Sequence, residues 1–276
     1  MTSISPLSFP GTRLPPPGTA AATARRNQFI ADMLGIMGDA RSLWVPQITD
    51  TTTTTDVSRY EGVYTYDATI ASRVSALGSG VAVSFNGTDQ TATMPDNADQ
   101  SFGATTYDVA FSVFGLVKVT ANTLAKNILS KYDYDTVGLA TQWEWRFEID
   151  ASERVRLALY DDSTGGERIG RYDATVLAAG QWYLLGGTYN GNGAATGIQC
   201  WTDAVQVDDT TDNLGTYVAM EDVSGKLRLG SVAATVAASQ FFYGSMACVG
   251  LTGRLLTTDD WWEMKKLCNS FYGLSL

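Results

Sequence analysis

The chain contains no histidine. That removes the imidazole on which Ser-His-Asp and Cys-His nucleophiles depend, together with every His-ligated metal site. Any chemistry must use carboxylates, lysine, tyrosine or serine. Cysteine is nearly as scarce. Cys200, Cys248 and Cys268 are too few and too scattered for a disulfide framework or a Cys-based zinc site. They read as small buried hydrophobes, with a Cys248–Cys268 bridge as the alternative. No apolar run approaches the roughly 18 residues of a membrane span, and Met1 to Pro10 lack the charged start and apolar stretch of a secretory signal. Basic residues are in deficit: the net charge is −10. A nucleic-acid backbone recruits lysine and arginine, so nucleic acid is not an expected partner, and neither is a membrane.

Proline is rare after the first turns of the chain. Five of the seven prolines are Pro6, Pro10, Pro15, Pro16 and Pro17. Their fixed φ and missing donor predict an extended arm that cannot join a sheet interior. The arm leads into a predicted helix, roughly Ala20 to Met37, with Gly38 as its C-cap. Ile30, Met33, Leu34 and Met37 recur at helical spacing, with Phe29 beside them, and give one apolar face. Residues 1–41 carry a net charge of +2, the remainder −12. A basic arm on an acidic body, with an apolar helix face too short to stand alone in water, predicts docking on a partner or sister subunit. Arg13, Arg25, Arg26, Phe29, Ile30, Met33, Leu34 and Met37 are the expected assembly residues. The predicted division is an arm-plus-helix over 1–41 and one domain over 42–276.

From Ser42 onward the pattern is β. Predicted strands are Val63–Tyr66, Val81–Phe85, Ala92–Met94, Val109–Val119, Ile128–Lys131, Trp143–Ile149, Val155–Tyr160, Arg168–Tyr172, Trp182–Tyr189, Gly197–Thr202, Lys226–Leu229 and Phe242–Leu251. Asn86-Gly87 is a tight-turn signal and predicts a hairpin to a strand ending at Met94. Many short strands separated by Gly, Asn and Asp favour an all-β sandwich or jelly roll. One late helix stands out. Thr257-Thr258-Asp259-Asp260 supplies a cap, Trp261 to Cys268 follows, and Lys265 and Lys266 lie near its end.

Several segments, in order, carry a family resemblance. Leu43-Trp44-Val45-Pro46 with Asp56-Val57-Ser58-Arg59 resembles an opening strand and its loop. Ala82-Val83-Ser84-Phe85-Asn86-Gly87 with Met94-Pro95-Asp96, then Tyr107 to Val117 and Asn127-Ile128-Leu129-Ser130-Lys131, resemble its next strands. Gly180-Gln181-Trp182 through Tyr189-Asn190-Gly191, Leu227-Arg228-Leu229-Gly230, Phe242-Tyr243-Gly244 and Leu255 to Asp260 are similar to its close. Together they resemble the laminin-G-like jelly rolls of the concanavalin A-like lectin/glucanase superfamily. The resemblance departs at Asp203-Ala204, where relatives carry a turn glycine, and a longer or reshaped hairpin is expected there. It implies a concanavalin A-like jelly-roll sandwich. With the Pro-rich arm and small helix, it is similar to tailed-phage virion structural proteins. That implies a non-enzymatic capsid-decoration or head/tail accessory protein, made in the host cytoplasm and placed in the virion. Its partners would be other virion proteins or its own subunits in a homo-oligomer.

Two constellations bear on chemistry. Glu148-Ile149-Asp150-Ala151-Ser152-Glu153 resembles the Glu-x-Asp-x-x-Glu pattern of retaining glycosidases in the same superfamily, which need two carboxyls about 5 Å apart. The competing reading is a hairpin turn through Asp150–Glu153 that points the glutamates apart, with Arg154 and Arg156 as ion-pair partners. Tyr132, Asp133, Tyr134, Asp135 and Trp143 are the candidate glycan-binding residues. Aromatic faces beside carboxylates hold sugar rings by stacking and hydrogen bonding, and implied ligands are cell-surface glycan and, through the two aspartates, Ca²⁺. The competing reading is an exposed loop with Trp143 or Trp145 in the core. No other metal or cofactor is expected.

Overall fold

The computed structural model describes residues 16–69, 73–104, 106–120, 124–134, 141–232 and 240–276. Helix α1 (Ala20–Met37) leads to β1 (Ala40–Trp44), β2 (Thr53–Thr55), β3 (Val63–Tyr66), β4 (Val74–Leu77), β5 (Gly80–Asn86), β6 (Ala92–Met94), β7 (Phe111–Val119), β8 (Lys126–Tyr134) and β9 (Thr141–Ile149). Then come β10 (Val155–Asp161), β11 (Glu167–Tyr172), β12 (Trp182–Tyr189), β13 (Ile198–Thr202), β14 (Val205–Gln206), β15 (Thr210–Thr211), β16 (Leu227–Leu229), β17 (Tyr243–Thr252) and α2 (Thr258–Tyr272). The strands form two antiparallel sheets. The first runs β14-β13-β12-β7-β17-β5-β4, with β1 also on β17; the second runs β15-β11-β10-β9-β8-β16-β6-β3-β2. The fold is an all-β jelly-roll-like sandwich with a helix at each end of the chain order.

The first sheet is apolar on both faces. In β7, Val113 and Val117 enter the core between the sheets, whereas Phe114 and Leu116 face away from it; Leu185 and Leu184 of β12 divide in the same way. A strand buried on both faces reads as a continuous apolar run, as Val113–Val117 does. The face turned from the second sheet is covered by α1 and α2. Phe29 stacks on Phe271 with ring centroids 4.5 Å apart and meets Tyr272 edge-on at 5.4 Å. Met33 and Met37 are fully buried. Trp261 stacks on Trp201 at 5.5 Å, and it fits because residue 186 is glycine: a Cβ there would lie 2.1 Å from the indole.

The helix ends follow from local chemistry. Thr19 accepts the Ala22 amide at 3.1 Å, and the left-handed Gly38 returns its N–H to Leu34 O. Thr257 and Asp260 form a reciprocal capping box. Helix α2 runs on to Tyr272, so Lys265 and Lys266 lie in its middle rather than near its end, and Lys265 donates to Asp203 O at 3.1 Å. The three cysteines are free and buried.

The face of α1 expected to meet a partner is thus spent inside this chain. Phe29, Met33 and Met37 are buried, and Ile30 and Leu34 pack against the same cluster. Arg26 donates to Val45 O at 2.6 Å and Arg25 to Ser270 O at 3.1 Å; Arg13 lies outside the described residues. Residue 41 therefore does not divide two cores. Nor do β5 and β6 form the expected hairpin. After Asn86-Gly87 the chain crosses between sheets, because β5 pairs with β4 and β17 while β6 pairs with β16 and β3. The turn residues reverse the chain, but burial of Val83 and Phe85 against β17 selects the partner. The hairpin at Asp203-Ala204 is not lengthened. Thr202 pairs with Val205, and both turn residues take positive φ, 51° and 67°, so Ala204 accepts a backbone conformation that glycine adopts more readily.

Phe29→Ala should cost about 3 kcal/mol in urea unfolding. Removing residues 1–38 should bare the apolar face of the first sheet, giving a lower melting temperature and binding of a hydrophobic dye. A truncation that melts like the full chain would overturn the two-sided core.

Candidate functional site

Among the described residues no helix covers the outer face of the second sheet, and strand register assigns its side chains. Val155, Leu157 and Leu159 of β10 and Trp145, Phe147 and Ile149 of β9 enter the core. The alternate residues Arg156, Ala158 and Tyr160, with Arg146 and Glu148, therefore face outward. Cross-strand pairs extend one row over five strands: Arg228, Ser130, Arg146, Ala158 and Gly170.

A β-bulge completes this face. Lys131 pairs with Trp145, but the next residue, Tyr132, pairs with Trp143, leaving Glu144 as the extra residue of β9. Without the bulge Trp143 would follow Trp145 into the core. With it, Trp143 turns outward and stacks on Tyr132 at 4.9 Å, only 3° from parallel, with Tyr160 edge-on to both. Gly166 of the β10–β11 turn closes over the indole; a Cβ there would approach it to 2.1 Å. Trp143 is half-buried, Tyr132 and Tyr160 nearly covered.

On the inner side, Glu144 and Lys131 form a fully buried ion pair at 2.7 Å. Lys131 also reaches Asp96 at 2.8 Å, Ser101 at 2.6 Å and Val223 O at 2.7 Å. Glu144 accepts from Ser101 Oγ and the Val223 amide. Burial pushes the Glu144 carboxyl up from its ordinary 4.5 to about 8, against the opposing pull of Lys131 and these donors. The pair locks the bulge from below while Trp143 occupies the face above.

Around the aromatics runs an ion-pair ladder. Glu148 is shared by Arg156 at 3.0 Å and Arg146 at 3.5 Å; Asp212 is shared by Arg156 and by Arg168 at 3.0 Å. Arg228 grips both oxygens of Asp133 at 2.9 and 2.8 Å. Arg146 lies over Tyr132 and Tyr160, 4.8 and 5.2 Å from their ring centres. Burial draws the Arg146 guanidinium down, but Glu148 and the two tyrosines outweigh it and hold it above its ordinary value. Burial likewise pushes Asp212 up, yet the hydrogen bond from Arg168 and the charges of Arg156 and Arg168 leave it below the usual carboxylate value, so it is ionised.

Tyr132 and Trp143 are brought together. Asp133 sits at the end of the same strands, but its carboxylate is engaged by Arg228, which argues against a calcium role. Asp135 and the side chain of Tyr134 lie outside the described residues, among which no cluster of metal-ligating side chains occurs. Trp145 is in the core, its Nε1 donating to Gln100 O at 3.3 Å. The glutamates of the glycosidase-like pattern are held apart from each other. Glu148 belongs to the ladder, Asp150 caps the β9–β10 turn and pairs with Arg154 at 2.6 Å, and Glu153 pairs with the buried Lys126 at 2.6 Å. Arg146, Tyr160, Arg168 and Arg228 join this face without a sequence motif that marks them. Period-two alternation along β9 and β10 would have placed Arg146 and Tyr160 on one face, whereas Arg228 is joined only through long-range pairing.

Fold and face together define a two-sheet jelly-roll module with an aromatic and arginine-lined outer sheet. No protein-family model matches the chain, and no curated protein matches it in sequence. Among solved structures it is similar to the binding domain of botulinum neurotoxin serotype G (TM-score 0.56, 12% identity, covering 86% of this chain and 54% of that one). It is also similar to domain 4 of AbnA, an extracellular arabinanase from Geobacillus stearothermophilus, in complex with arabinotriose (TM-score 0.53, 15% identity, 82% and 98%). A third likeness is to Trypanosoma rangeli sialidase (TM-score 0.54, 12% identity, 85% and 33%). The chain spans about a third of the sialidase and about half of the toxin domain. At these identities the likeness is one of fold.

Because Glu144 holds its proton to higher pH in the folded chain than in the unfolded one, its ionisation favours unfolding. The stability of the native protein relative to Glu144→Gln should therefore fall as pH rises from about 4.5 to about 8. Denaturant titrations of both proteins at pH 5 and pH 8 measure this; a difference that stays flat or grows with pH contradicts it.

Proposed function

We propose that this chain is a non-enzymatic jelly-roll recognition module whose ligand is carbohydrate, bound on the outer face of the second sheet. The observation that carries the reading is the bulge that turns Trp143 out of the core and lays it flat on Tyr132. The stack packs with Ala158, Tyr160 and Val232, and its half-buried indole, ringed by guanidinia and carboxylates, offers stacking and hydrogen bonds to a sugar ring. The similar arabinanase domain was solved with arabinotriose, and the similar toxin domain is a binding domain. Both likenesses support a binding role. The separate pairing of Glu148 with arginines and Glu153 with Lys126 favours recognition over hydrolysis, because neither glutamate faces the other as nucleophile and acid/base.

The setting we propose is the one that the ordered sequence motifs imply: a structural component of a tailed-phage virion, displaying its jelly roll toward a host-surface glycan. The Pro-rich segment before α1 is the feature that favours attachment to other virion proteins or to sister subunits. Helix α1 itself is part of the domain.

A glycan array should show saturable binding without hydrolysis of the bound sugar, and Trp143→Ala should weaken it about tenfold or more, equivalent to about 1.4 kcal/mol. Binding unaffected in a folded Trp143→Ala protein would remove this face as the site. Mass spectrometry of purified particles tests the virion setting; the protein's absence from them would exclude it.

A further inference from the structure

Four of the nineteen basic residues stand together where the proposed ligand would sit. Arg146, Arg156, Arg168 and Arg228 all belong to the outer face of the second sheet, in a protein of net charge −10. Among the described residues three carboxylates pair with them, Asp133, Glu148 and Asp212, two of these each divided between two guanidinia, and Gln240 Oε1 accepts from Arg146 at 2.7 Å. A guanidinium offers five N–H groups in a planar fork, so donor capacity exceeds the acceptors. The surplus is visible atom by atom. The Nε groups of Arg146 and Arg228 are buried and have no hydrogen-bond partner among the described residues, while those side chains are only 9% and 8% exposed. Leaving such donors buried and unpaired is unfavourable, and an acceptor that shifts the neighbouring side chains to reach them would relieve that penalty.

The two arginines are related by register. Arg228 pairs with Ser130 and Ser130 with Arg146, so their Cα atoms lie two strand spacings apart, about 10 Å. The Tyr132–Trp143 stack lies beside Arg146, whose guanidinium sits over the Tyr132 ring. A neutral sugar stacked there would use the aromatics and leave the surplus donors unmet. An acidic sugar presents a planar two-oxygen acceptor that matches an arginine fork.

We infer that this face selects a carboxylated carbohydrate, a uronate- or sialate-type glycan. The sugar ring rests against the exposed part of Trp143, which Tyr132 backs, and the acid group is received by the guanidinium of Arg146 or Arg228. The inference rests on the carbohydrate reading above and adds the charge of the ligand. Arg146 and Arg228 are then specificity residues, and Arg156 and Arg168 hold Glu148 and Asp212 in place around them.

The test uses the full chain and a panel of uronate- and sialate-containing oligosaccharides, each beside its carboxyl-reduced neutral counterpart, titrated by calorimetry. The expected result is at least tenfold tighter binding of the acid forms, weakening as salt rises. The preference should be reduced in Arg146→Lys, which keeps the charge and loses the fork, and in Arg228→Gln, each confirmed folded by its melting curve. Equal binding of acid and reduced forms, or preference for the reduced ones, overturns the acidic-sugar assignment and leaves carbohydrate recognition standing. Binding of neither set, together with an empty glycan array, overturns both. The comparison of acid with reduced sugar uses the unaltered protein, so it decides the question even where a variant fails to fold.

Discussion

The first sheet is apolar on both of its faces, and each face must be kept from water. One face meets the second sheet across the core that contains Phe111, Trp145, Phe147 and Phe242. The other faces helices α1 and α2 through Phe114, Leu116, Leu184 and Cys248. Burial of each large side chain is worth roughly 1.5–3 kcal/mol, so the helical layer is a core in its own right. The helices are held by aromatic contacts: Phe29 in the middle of α1 on Phe271 and Tyr272 at the end of α2, and Trp261 at the start of α2 on Trp201. This requirement explains why an N-terminal helix with a conventional amphipathic pattern belongs to the domain.

Covering the first sheet with helices leaves the second sheet's outer face to the rest of the chain, and there the polar chemistry collects. The Lys131–Glu144 pair and the bulge above it are two sides of one device. The extra residue of β9 sends a carboxylate inward to a buried lysine and an indole outward to a stacked tyrosine. Removing Glu144 would leave Lys131 to Asp96, and removing Lys131 would take away the cation that offsets burial of the Glu144 carboxyl. The aim of Trp143 is therefore supported by the stability of the domain and does not depend on surface contacts alone.

Jelly rolls of this type carry many functions, so function rests on the face and not on the architecture. The similar structures include a toxin binding domain, an arabinanase domain and a sialidase, which differ in activity while sharing the sandwich. In this chain the carboxylates that would run glycoside chemistry are engaged by arginines and a lysine.

Much of the fold was legible from local signals. The limits of α1, the Thr257 cap and most strands could be read because capping, turn chemistry and period-two alternation act over a few residues. The short strands β4, β14 and β15 carry too few residues for a pattern, and β1 showed only through Leu43 and Trp44. Of the site, Tyr132 and Trp143 were legible as aromatics beside acids, but the reason they meet is a register shift that depends on Glu144 finding Lys131. By itself the sequence determined what the chain is built from: an all-β body, two helices with their caps, and no imidazole for catalysis. Only the tertiary structure decided that β5 and β6 join different sheets, that α1 packs on its own chain, and that Arg228 stands in the same row as Arg146. Those outcomes depend on which distant surfaces bury one another, and hydrophobic burial has no direction along the sequence.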